Sequence, residues 1–454
     1  MHKRIISSIL VMLFAVVAMA QNELYVSPTG KDSNDGKTPD TPWKSISKVL
    51  NNITPGTTVY VMPGTFTSGV ELQRKHSGTE DAYVTFQAYD PQNRPRFYYG
   101  GSGKWNCFNI QASYIIIDGL ELEGYNQTFD KTAEKTDSVA AYNYSKTYHD
   151  NGGTGFDWNG CAKYNTNGIS VGKGGKDGGF PHHVIIRNCI VHDFPGGGIG
   201  SQQSDYLTFD NNIVYNNAWY CMYACSGMSI LNPYNSDDVN NVYKMFITNN
   251  TVYNNHTKIP WSTSNFRYSD GNGIIIDVNL TPDGSSTDAI KADGAYRSKT
   301  LVANNVTYFN GGSGIHSFKA QNVLIVNNTA YHNEQRYNSG YGEIFSQSGK
   351  NNRLYNNIMY ARPNQRCNNF VKEGGAVYSN NIYYGGKYTQ VAADKYKDPL
   401  FVKIPGNWNE EADFHLQQGS PAIGFGAVVE GMPATDKGGA ERGSSVDSGA
   451  YQAK

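Results

Sequence analysis

A short recurring pattern decides the fold of this chain, and its clearest copy is Leu301-Val302-Ala303-Asn304-Asn305-Val306-Thr307-Tyr308. A strand-like run of Val, Ile or Leu leads into a pair of Asn residues, and a second short run ending in Tyr follows. Related segments occur at residues 185–191, 207–215, 247–253, 323–331, 354–360 and 377–383. Alternating β-branched and aromatic residues bounded by Asn or Gly are typical of short strands. The pattern therefore predicts a repeated unit built from strands.

The spacing of the repeat predicts how these units stack. Asn304 to Asn327 is 23 residues, Asn327 to Asn356 is 29, and Asn356 to Asn380 is 24. No helical period of comparable length intervenes, which argues against βαβ units. A unit this short can form one coil of a parallel β-solenoid, with coils about 4.8 Å apart. Asn tolerates a left-handed backbone at a tight corner, and stacked amides can bond from coil to coil. We therefore expect an all-β parallel β-helix rather than a β-sandwich.

Longer steps and the two ends complete the expected architecture. Residues Thr281–Thr300 and Asn126–Thr166 interrupt the repeat and are expected to form long loops on one face, where solenoids usually bind their ligands. Residues 21–66 form the expected N-terminal cap region, in which Trp43–Asn51 has near-helical spacing and predicts a capping helix. Residues 398–454 lose the repeat and are expected to pack on the solenoid. Residues 21–454 are therefore interpreted as a single domain.

Charge and the first residues indicate where such a protein acts. The chain has 38 Lys+Arg against 39 Asp+Glu, and this absence of a basic excess argues against nucleic-acid binding. Residues 1–20 are typical of a signal peptide: Lys3 and Arg4 precede the apolar run Ile9–Val17, and Ala18-Met19-Ala20 is a cleavage motif. That run is shorter than the ~20 residues of a membrane span. We expect a monomer that is secreted or periplasmic, with no lipoprotein cysteine and no membrane insertion.

The cysteines are too sparse to predict a disulfide framework, and their pairing is left open. Cys221 and Cys225 lack a second close pair, which argues against a zinc site. Most cysteines are expected to be small apolar residues in the core. The six are Cys107, Cys161, Cys189, Cys221, Cys225 and Cys367.

Both ends of the chain resemble a known group of enzymes. Tyr25-Val26-Ser27-Pro28-Thr29-Gly30, Pro42-Trp43-Lys44-Ser45-Ile46, Asp398-Pro399-Leu400-Phe401 and Gly419-Ser420-Pro421-Ala422-Ile423 carry the likeness. They resemble segments of secreted right-handed parallel β-helix polysaccharide lyases, and most of all polysaccharide lyase family 9, the pectate and rhamnogalacturonan lyases. The resemblance implies a right-handed helix and a lyase acting on pectin, polygalacturonate or rhamnogalacturonan. It also implies Ca²⁺ held by aspartates on one coil, with a Lys base on the next.

Aligning the coils on their Gly-apolar steps locates candidate residues for this chemistry. Gly273-Ile274 and Gly314-Ile315 are successive steps. Asp270 and Asp277 flank the first of these strands and are the candidate metal ligands. His316 and Lys319 lie on the next coil and are the candidate bases, with His316 holding the position of the family's Lys. We expect consecutive coils to bring all four side chains onto one outer groove.

The expected reaction is β-elimination from a uronic acid. The C5 proton becomes acidic enough to remove only when a cation or cationic side chain stabilises the developing anion on the neighbouring carboxylate. Ca²⁺ suits this role because it accepts six to eight oxygen ligands in irregular geometry. A Lys base requires cations that lower its pKa, whereas a neutral His is available at pH 7. The sequence leaves the choice between Lys319 and His316 open.

Other residues are candidates for holding an acidic sugar chain. They are Arg267, which could clamp a carboxylate, Lys173, and the aromatic residues Tyr220, Tyr223 and Trp261. Structural interpretations stay open for each, such as a turn cap for Asp270 and a solvated charge for Lys319. Two other functions also stay open: a glycoside hydrolase using a pair from Asp205, Asp270 and Asp277, and a noncatalytic glycan-binding surface protein.

Overall fold

The strands of this protein wind as a solenoid of three parallel sheets, which we call sheets A, B and C. The computed structural model describes residues 22–100, 104–128, 136–154, 161–172, 179–262, 266–280, 294–336, 340–373 and 375–453. The expected signal peptide, residues 1–20, lies outside this part of the chain. Sheets A and B have eleven strands each, and sheet C has eight. The parallel β-helix expected from the repeat is confirmed.

Most coils contribute one strand to each sheet in the order A, B, C. The strands of sheet A are Glu23–Val26, Thr58–Val61, Val84–Ala88, Ile115–Asp118, His182–Arg187, Asp205–Asp210, Tyr243–Thr248, Lys299–Ala303, Val323–Val326, Arg353–Tyr355 and Val377–Ser379. Those of sheet B are Gly64–Phe66, Pro95–Tyr98, Glu121–Glu123, Ile190–His192, Ile213–Tyr215, Thr251–Tyr253, Val306–Tyr308, Thr329–Tyr331, Ile358–Tyr360, Ile382–Tyr384 and Lys395–Tyr396. Those of sheet C are Val70–Leu72, Asn106–Ile110, Asn167–Gly172, Ile199–Gln202, Met228–Leu231, Ile274–Asp277, Ile315–Phe318 and Ile344–Gln347.

Alternation along each strand fills the interior of the solenoid. Side chains of one parity point inward and stack coil on coil, forming a single apolar core. On sheet C the inward column includes Phe108, Ile169, Ile199, Met228, Ile274, Ile315 and Ile344, all buried. The side chains between them point outward. This geometry decides which residues of sheet C can meet a ligand.

The Asn pairs form the corner between sheets A and B. The first Asn of each pair has a left-handed backbone, for example Asn211 with φ 53° and Asn327 with φ 54°. The second Asn is buried and bonds to its equivalent on the next coil, as where Asn212 Nδ2 donates to Asn250 Oδ1 at 3.0 Å. The ladder continues through Asn305, Asn328, Asn357 and Asn381. Both roles expected of Asn are thus confirmed.

The regular coils are capped and covered by other elements. The expected capping helix spans Ile46–Leu50 and packs on the core at the first coil. The excursion at Asn126–Thr166 contains a helix, Thr136–Asp150, that the repeat pattern does not predict. Two 3₁₀ turns span Arg74–His76 and Asn126–Thr128. The helix covers the start of the loops beside sheet C, with Ser145 Oγ donating to the carbonyl oxygen of Pro260 at 2.7 Å.

The C-terminal tail, residues 398–453, packs on the outside of sheets A and B. Its two antiparallel strands, Phe401–Lys403 and Asp413–Leu416, cover Val306, Tyr308 and Tyr331. The tail inserts Arg442, whose guanidinium donates to Asn304 Oδ1 at 2.9 Å. Sheet C is left clear of the tail clusters. Its outer face is therefore the candidate surface for binding a ligand.

Candidate functional site

The outer face of sheet C changes along the solenoid from partly exposed, small or polar residues to buried ones. In register, its outward column runs through Asn109, Ser170, Gly200, Ser229, Ile275, His316 and Phe345. The first four are partly exposed and small or polar, and the last three are buried. His316 therefore sits where a shallow polar face meets an apolar one.

His316 packs against one aromatic ring and contacts one hydroxyl. Its ring stacks on Phe345 with centroids 4.7 Å apart, and only 8% of the residue is exposed. Its Nδ1 lies 2.6 Å from Ser313 Oγ. Burial lowers the pKa of His316 to about 3. The ring is therefore neutral at pH 7, and its Nε2 makes no hydrogen bond with the described residues.

A run of hydrogen bonds leads from His316 to the preceding coil. Ser313 Oγ lies 3.1 Å from Asn272 Oδ1, which also accepts a bond from the Ser313 backbone N–H at 3.0 Å. Asn272 Nδ2 donates to Asp270 Oδ1 at 2.9 Å and to Ser226 Oγ at 3.1 Å. His316 and Asp270 are thus connected through two intervening side chains. We call Asp270, Asn272, Ser313 and His316 the relay.

Asp270 occupies a turn just before its strand, with φ 56°. Its second oxygen accepts a bond from Ser269 Oγ at 2.9 Å. Burial raises the pKa of Asp270 to about 6, although these hydrogen bonds and the charges of Arg336 and Arg267 act in the opposite direction. Arg336, which follows the Thr329–Tyr331 strand, reaches this turn, and its Nη1 donates to the carbonyl oxygen of Ser269 at 2.9 Å. The turn therefore combines one acid with two cations.

Asp277 and Lys319 lie at the other end of the two strands. Asp277 is the last residue of its strand and pairs in register with Phe318. Lys319 follows on an exposed turn with φ 46°, and its Nζ lies 5.1 Å from the centroid of the Phe318 ring. Three residues of extended chain separate Lys319 from His316, roughly 10 Å. Along the groove expected to hold all four residues, the length of the strand separates them into two pairs, Asp270 with His316 and Asp277 with Lys319.

The same separation bears on the expected calcium ligands. Asp270 and Asp277 stand at opposite ends of the Ile274–Asp277 strand, so their carboxylates do not converge, whereas Ca²⁺ needs six to eight oxygens around one point. Within the described ranges, just one group of three or more acidic, His or Cys side chains brings its ligand atoms within 4.8 Å: Glu121, Glu123 and His192 on sheet B. Asp270 and Asp277 therefore do not fit a shared calcium ion.

The group on sheet B is an ion-pair network. His192 Nδ1 lies 2.6 Å from Asp193 Oδ2, and its Nε2 lies 3.3 Å from Glu121 Oε1. Burial alone would lower the pKa of His192, but these two carboxylates outweigh it and raise the pKa to about 9. Glu123 pairs with Arg96 at 2.6 Å. Carboxylates engage both ring nitrogens of His192, so a metal ion here would have to displace a proton and an ion pair.

The candidate sugar-binding residues fall into different environments. Arg267 is exposed, its guanidinium makes no hydrogen bond with the described residues, and its carbonyl oxygen accepts from the backbone N–H of Trp261 at 2.7 Å. Trp261 and Tyr223 are partly exposed. Tyr220 is 3% exposed and packs under the long helix, so its ring cannot stack on a sugar. Lys173 lies outside the described residues.

Asp205, a candidate acid or base for hydrolysis, is fully buried on sheet A. Its carboxylate accepts bonds from Tyr296 OH at 2.5 Å and Ser236 Oγ at 2.9 Å, and it pairs with the buried Lys244 at 3.4 Å. No sugar can reach these oxygens. A hydrolytic role for Asp205 is therefore wrong, and the residue stabilises the corner between sheets C and A.

Sequence reasoning missed the residues that support His316 and those beside it. Asn272 and Ser313 flank the Gly-apolar steps, but no local motif marks them, because their partners lie on other coils. Tyr341 was also missed; it is 40% exposed and contacts Phe345 and Phe370, with centroids 5.9 Å and 6.2 Å away. Tyr341 provides an open aromatic face close to His316. The stacking of His316 on Phe345 links the two features.

Comparison with known proteins supports the resemblance expected from the sequence. A family model described as the Pel9A-like right-handed beta helix region matches residues 24–171. This segment therefore resembles Pel9A. Pectate lyase PEL9 of Emericella nidulans is 31% identical over 125 residues, 28% of this chain and 25% of that protein. The uncharacterized protein YwoF of Bacillus subtilis is 37% identical over 70 residues, 15% of this chain and 14% of that protein. The matches thus span a quarter or less of these relatives.

The similarity of fold extends further than the similarity of sequence. The crystal structure of pectate lyase Pel9A superposes with a TM-score of 0.51, covering 95% of this chain and 96% of that one at 16% identity. At this identity the superposition shows a common parallel β-helix fold. The relay lies outside residues 24–171, the segment that matches the family model. In the described part of the chain, no helix is long and apolar enough to cross a membrane.

Proposed function

We propose that this protein is an exported polysaccharide lyase that cleaves a uronate-containing chain, such as polygalacturonate, pectin or rhamnogalacturonan, by β-elimination. The observation that carries the proposal is His316: a neutral imidazole in the outward column of sheet C, whose Nε2 makes no hydrogen bond with the described residues. The Pel9A-like segment and the named pectate lyase relative support the choice of reaction and substrate class.

In this mechanism His316 is the base. Nε2 takes the C5 proton of the uronate, the C–H electrons form the C4–C5 double bond, and the C4–O4 bond breaks. The departing O4 oxygen takes a proton from water, and the imidazolium then returns its proton to solvent. The low pKa of the free ring keeps its lone pair available at neutral pH, and an anionic sugar bound beside the ring raises its basicity.

Arg267 is the proposed partner of the uronate carboxylate. Its exposed guanidinium can form two parallel hydrogen bonds to a carboxylate and stabilise the charge that develops during proton removal. Tyr341 would stack on a neighbouring sugar ring. Because Asp270 and Asp277 do not converge, no step here passes through calcium.

The proposal is tested by following the ultraviolet absorbance of unsaturated uronate products from polygalacturonate, pectin and rhamnogalacturonan. We expect His316→Gln to lower kcat by about 100-fold or more, whereas Lys319→Ala and the remote control His415→Gln stay within about twofold of the wild type. Circular dichroism checks that each variant is folded. New reducing ends without unsaturated product would contradict the proposal and indicate a hydrolase.

A chelator arm of the same assay tests the metal. Since the aspartates do not fit a shared ion, we expect turnover to persist in the chelator and His316→Gln to remain the larger loss. Loss of all turnover in the chelator, restored by added Ca²⁺, would show that calcium is required.

A further inference from the structure

The relay determines which nitrogen of His316 carries the proton. A neutral imidazole has one N–H and one lone pair, and only the nitrogen with the lone pair can act as a base. The two tautomers, Nδ1–H and Nε2–H, differ only in which nitrogen is protonated. The hydrogen-bond partners of the ring decide which nitrogen is protonated. The relay supplies these partners.

The starting point is the backbone N–H of Ser313, which can only donate. It lies 3.0 Å from the side-chain amide of Asn272, so the atom facing it must be the amide oxygen, Oδ1. The amide nitrogen then faces the opposite way. Its two protons go to Asp270 Oδ1 at 2.9 Å and Ser226 Oγ at 3.1 Å. Every hydrogen-bonding atom of this 5%-exposed side chain is therefore used, and the amide cannot rotate without losing bonds.

The orientation of Asn272 sets the hydroxyl of Ser313. Ser313 Oγ lies 3.1 Å from Asn272 Oδ1, an atom that has no hydrogen, so the single hydroxyl proton points at that oxygen. The hydroxyl then presents only lone pairs to its other neighbour, His316 Nδ1, at 2.6 Å. With the hydroxyl proton on the bond to Asn272, Nδ1 is the donor in this contact, and the lone pair is on Nε2.

The backbone around the relay keeps these contacts short. Gly312 passes directly beside Asn272, and a Cβ at this position would collide with Asn272 Oδ1. Ser313 is 2% exposed, so water does not compete for its hydroxyl. On the far side of the ring, Phe345 fixes the imidazole plane by stacking. The ring thus has a fixed plane, a fixed partner at Nδ1 and an Nε2 that makes no hydrogen bond with the described residues.

We propose that Asn272 and Ser313 are positioning residues that hold His316 as the Nδ1–H tautomer, so that Nε2 is aimed at the substrate as a proton acceptor. The catalytic use of this tautomer rests on the proposed lyase function. The tautomer itself does not. A triad base whose orienting partner is changed loses activity because the wrong nitrogen carries the proton, and the same logic applies here.

The test uses protein labelled with ¹⁵N in its histidines, of which the sequence contains ten. The ring signals of His316 are assigned by their absence in His316→Gln. In the wild type we expect a protonated Nδ1 and an unprotonated Nε2. In Ser313→Ala we expect a population with Nε2 protonated, together with a fall in kcat of about tenfold or more and a KM within about twofold.

Ser317→Ala is the matched control, because Ser317 is a buried serine on the same strand that bonds to Asn352 instead of the relay. It should lower stability without changing the ring signals or kcat. A wild-type ring protonated at Nε2, or an unchanged tautomer in Ser313→Ala, would overturn the proposal. If the wild type forms no unsaturated product, the lyase function fails, while the ¹⁵N signals still decide whether the relay fixes the tautomer.

Discussion

At the scale of single residues, His192 shows how local partners reverse the effect of burial. His316 and His192 are both nearly buried, yet His316 stays neutral whereas the carboxylates of Asp193 and Glu121 keep His192 protonated. Because its folded pKa of about 9 lies above its unfolded value near 6.5, His192 stabilises the fold fully below pH 6.5. That contribution is lost as the pH rises through about 9.

We therefore expect His192→Gln to lower the free energy of unfolding by about 2–3 kcal/mol at pH 6. The difference from the wild type should nearly vanish at pH 10, where the wild-type ring is also neutral. Urea unfolding at the two pH values measures both differences. A penalty that does not depend on pH would show that packing, rather than the ion pairs, accounts for the effect.

At the scale of elements, two neighbouring asparagines have different structural roles in the corner between sheets A and B. Asn211 is exposed and supplies the left-handed backbone, whereas Asn212 is buried and bonds to Cys189, Ile186 and Asn250. The second role depends on neighbouring coils and therefore couples one coil to the next. The first role is local to the turn, and Asn211 adds one exposed bond to the preceding coil, from Nδ2 to Asn188 Oδ1 at 2.8 Å.

These two positions form a matched pair for mutation. We expect Asn212→Ala to destabilise the protein by about 2–4 kcal/mol, because it leaves buried backbone groups without partners. Asn211→Ala should cost about 1 kcal/mol, the strain of a left-handed backbone, and Asn211→Gly less. Chemical unfolding of the three variants measures the order, and equal losses at both positions would contradict this division of roles.

At the scale of the whole molecule, burial makes the solenoid sensitive to acid. Burial lowers the pKa of His316 to about 3 and is the largest cause of the lowered pKa values, about 4, of His256 and His332. Since these values lie below the unfolded value near 6.5, the unfolded chain takes up protons first as the pH falls below 6.5. Asp270, whose pKa burial raises to about 6, offsets part of this loss.

We expect the free energy of unfolding to fall between pH 6.5 and pH 5, with His316 accounting for about 2 kcal/mol. His316→Gln should reduce this pH dependence, because the variant lacks the buried ring. Urea unfolding at pH 7 and pH 5 gives the comparison. An identical pH dependence in His316→Gln would argue against a buried neutral ring.

The sequence by itself determined the solenoid, its Asn corners and its apolar column, because each depends on a period that every coil repeats. It also placed Asp270 and His316 on successive coils, since the Gly-apolar steps keep successive strands in register. Tertiary structure alone decided that Asp277 and Lys319 stand apart from them, that Tyr220 and Asp205 are buried, and that Asn272 and Ser313 join the site. The reason is physical: register follows from local spacing, whereas burial and side-chain partners depend on the loops and neighbouring coils that pack around each strand.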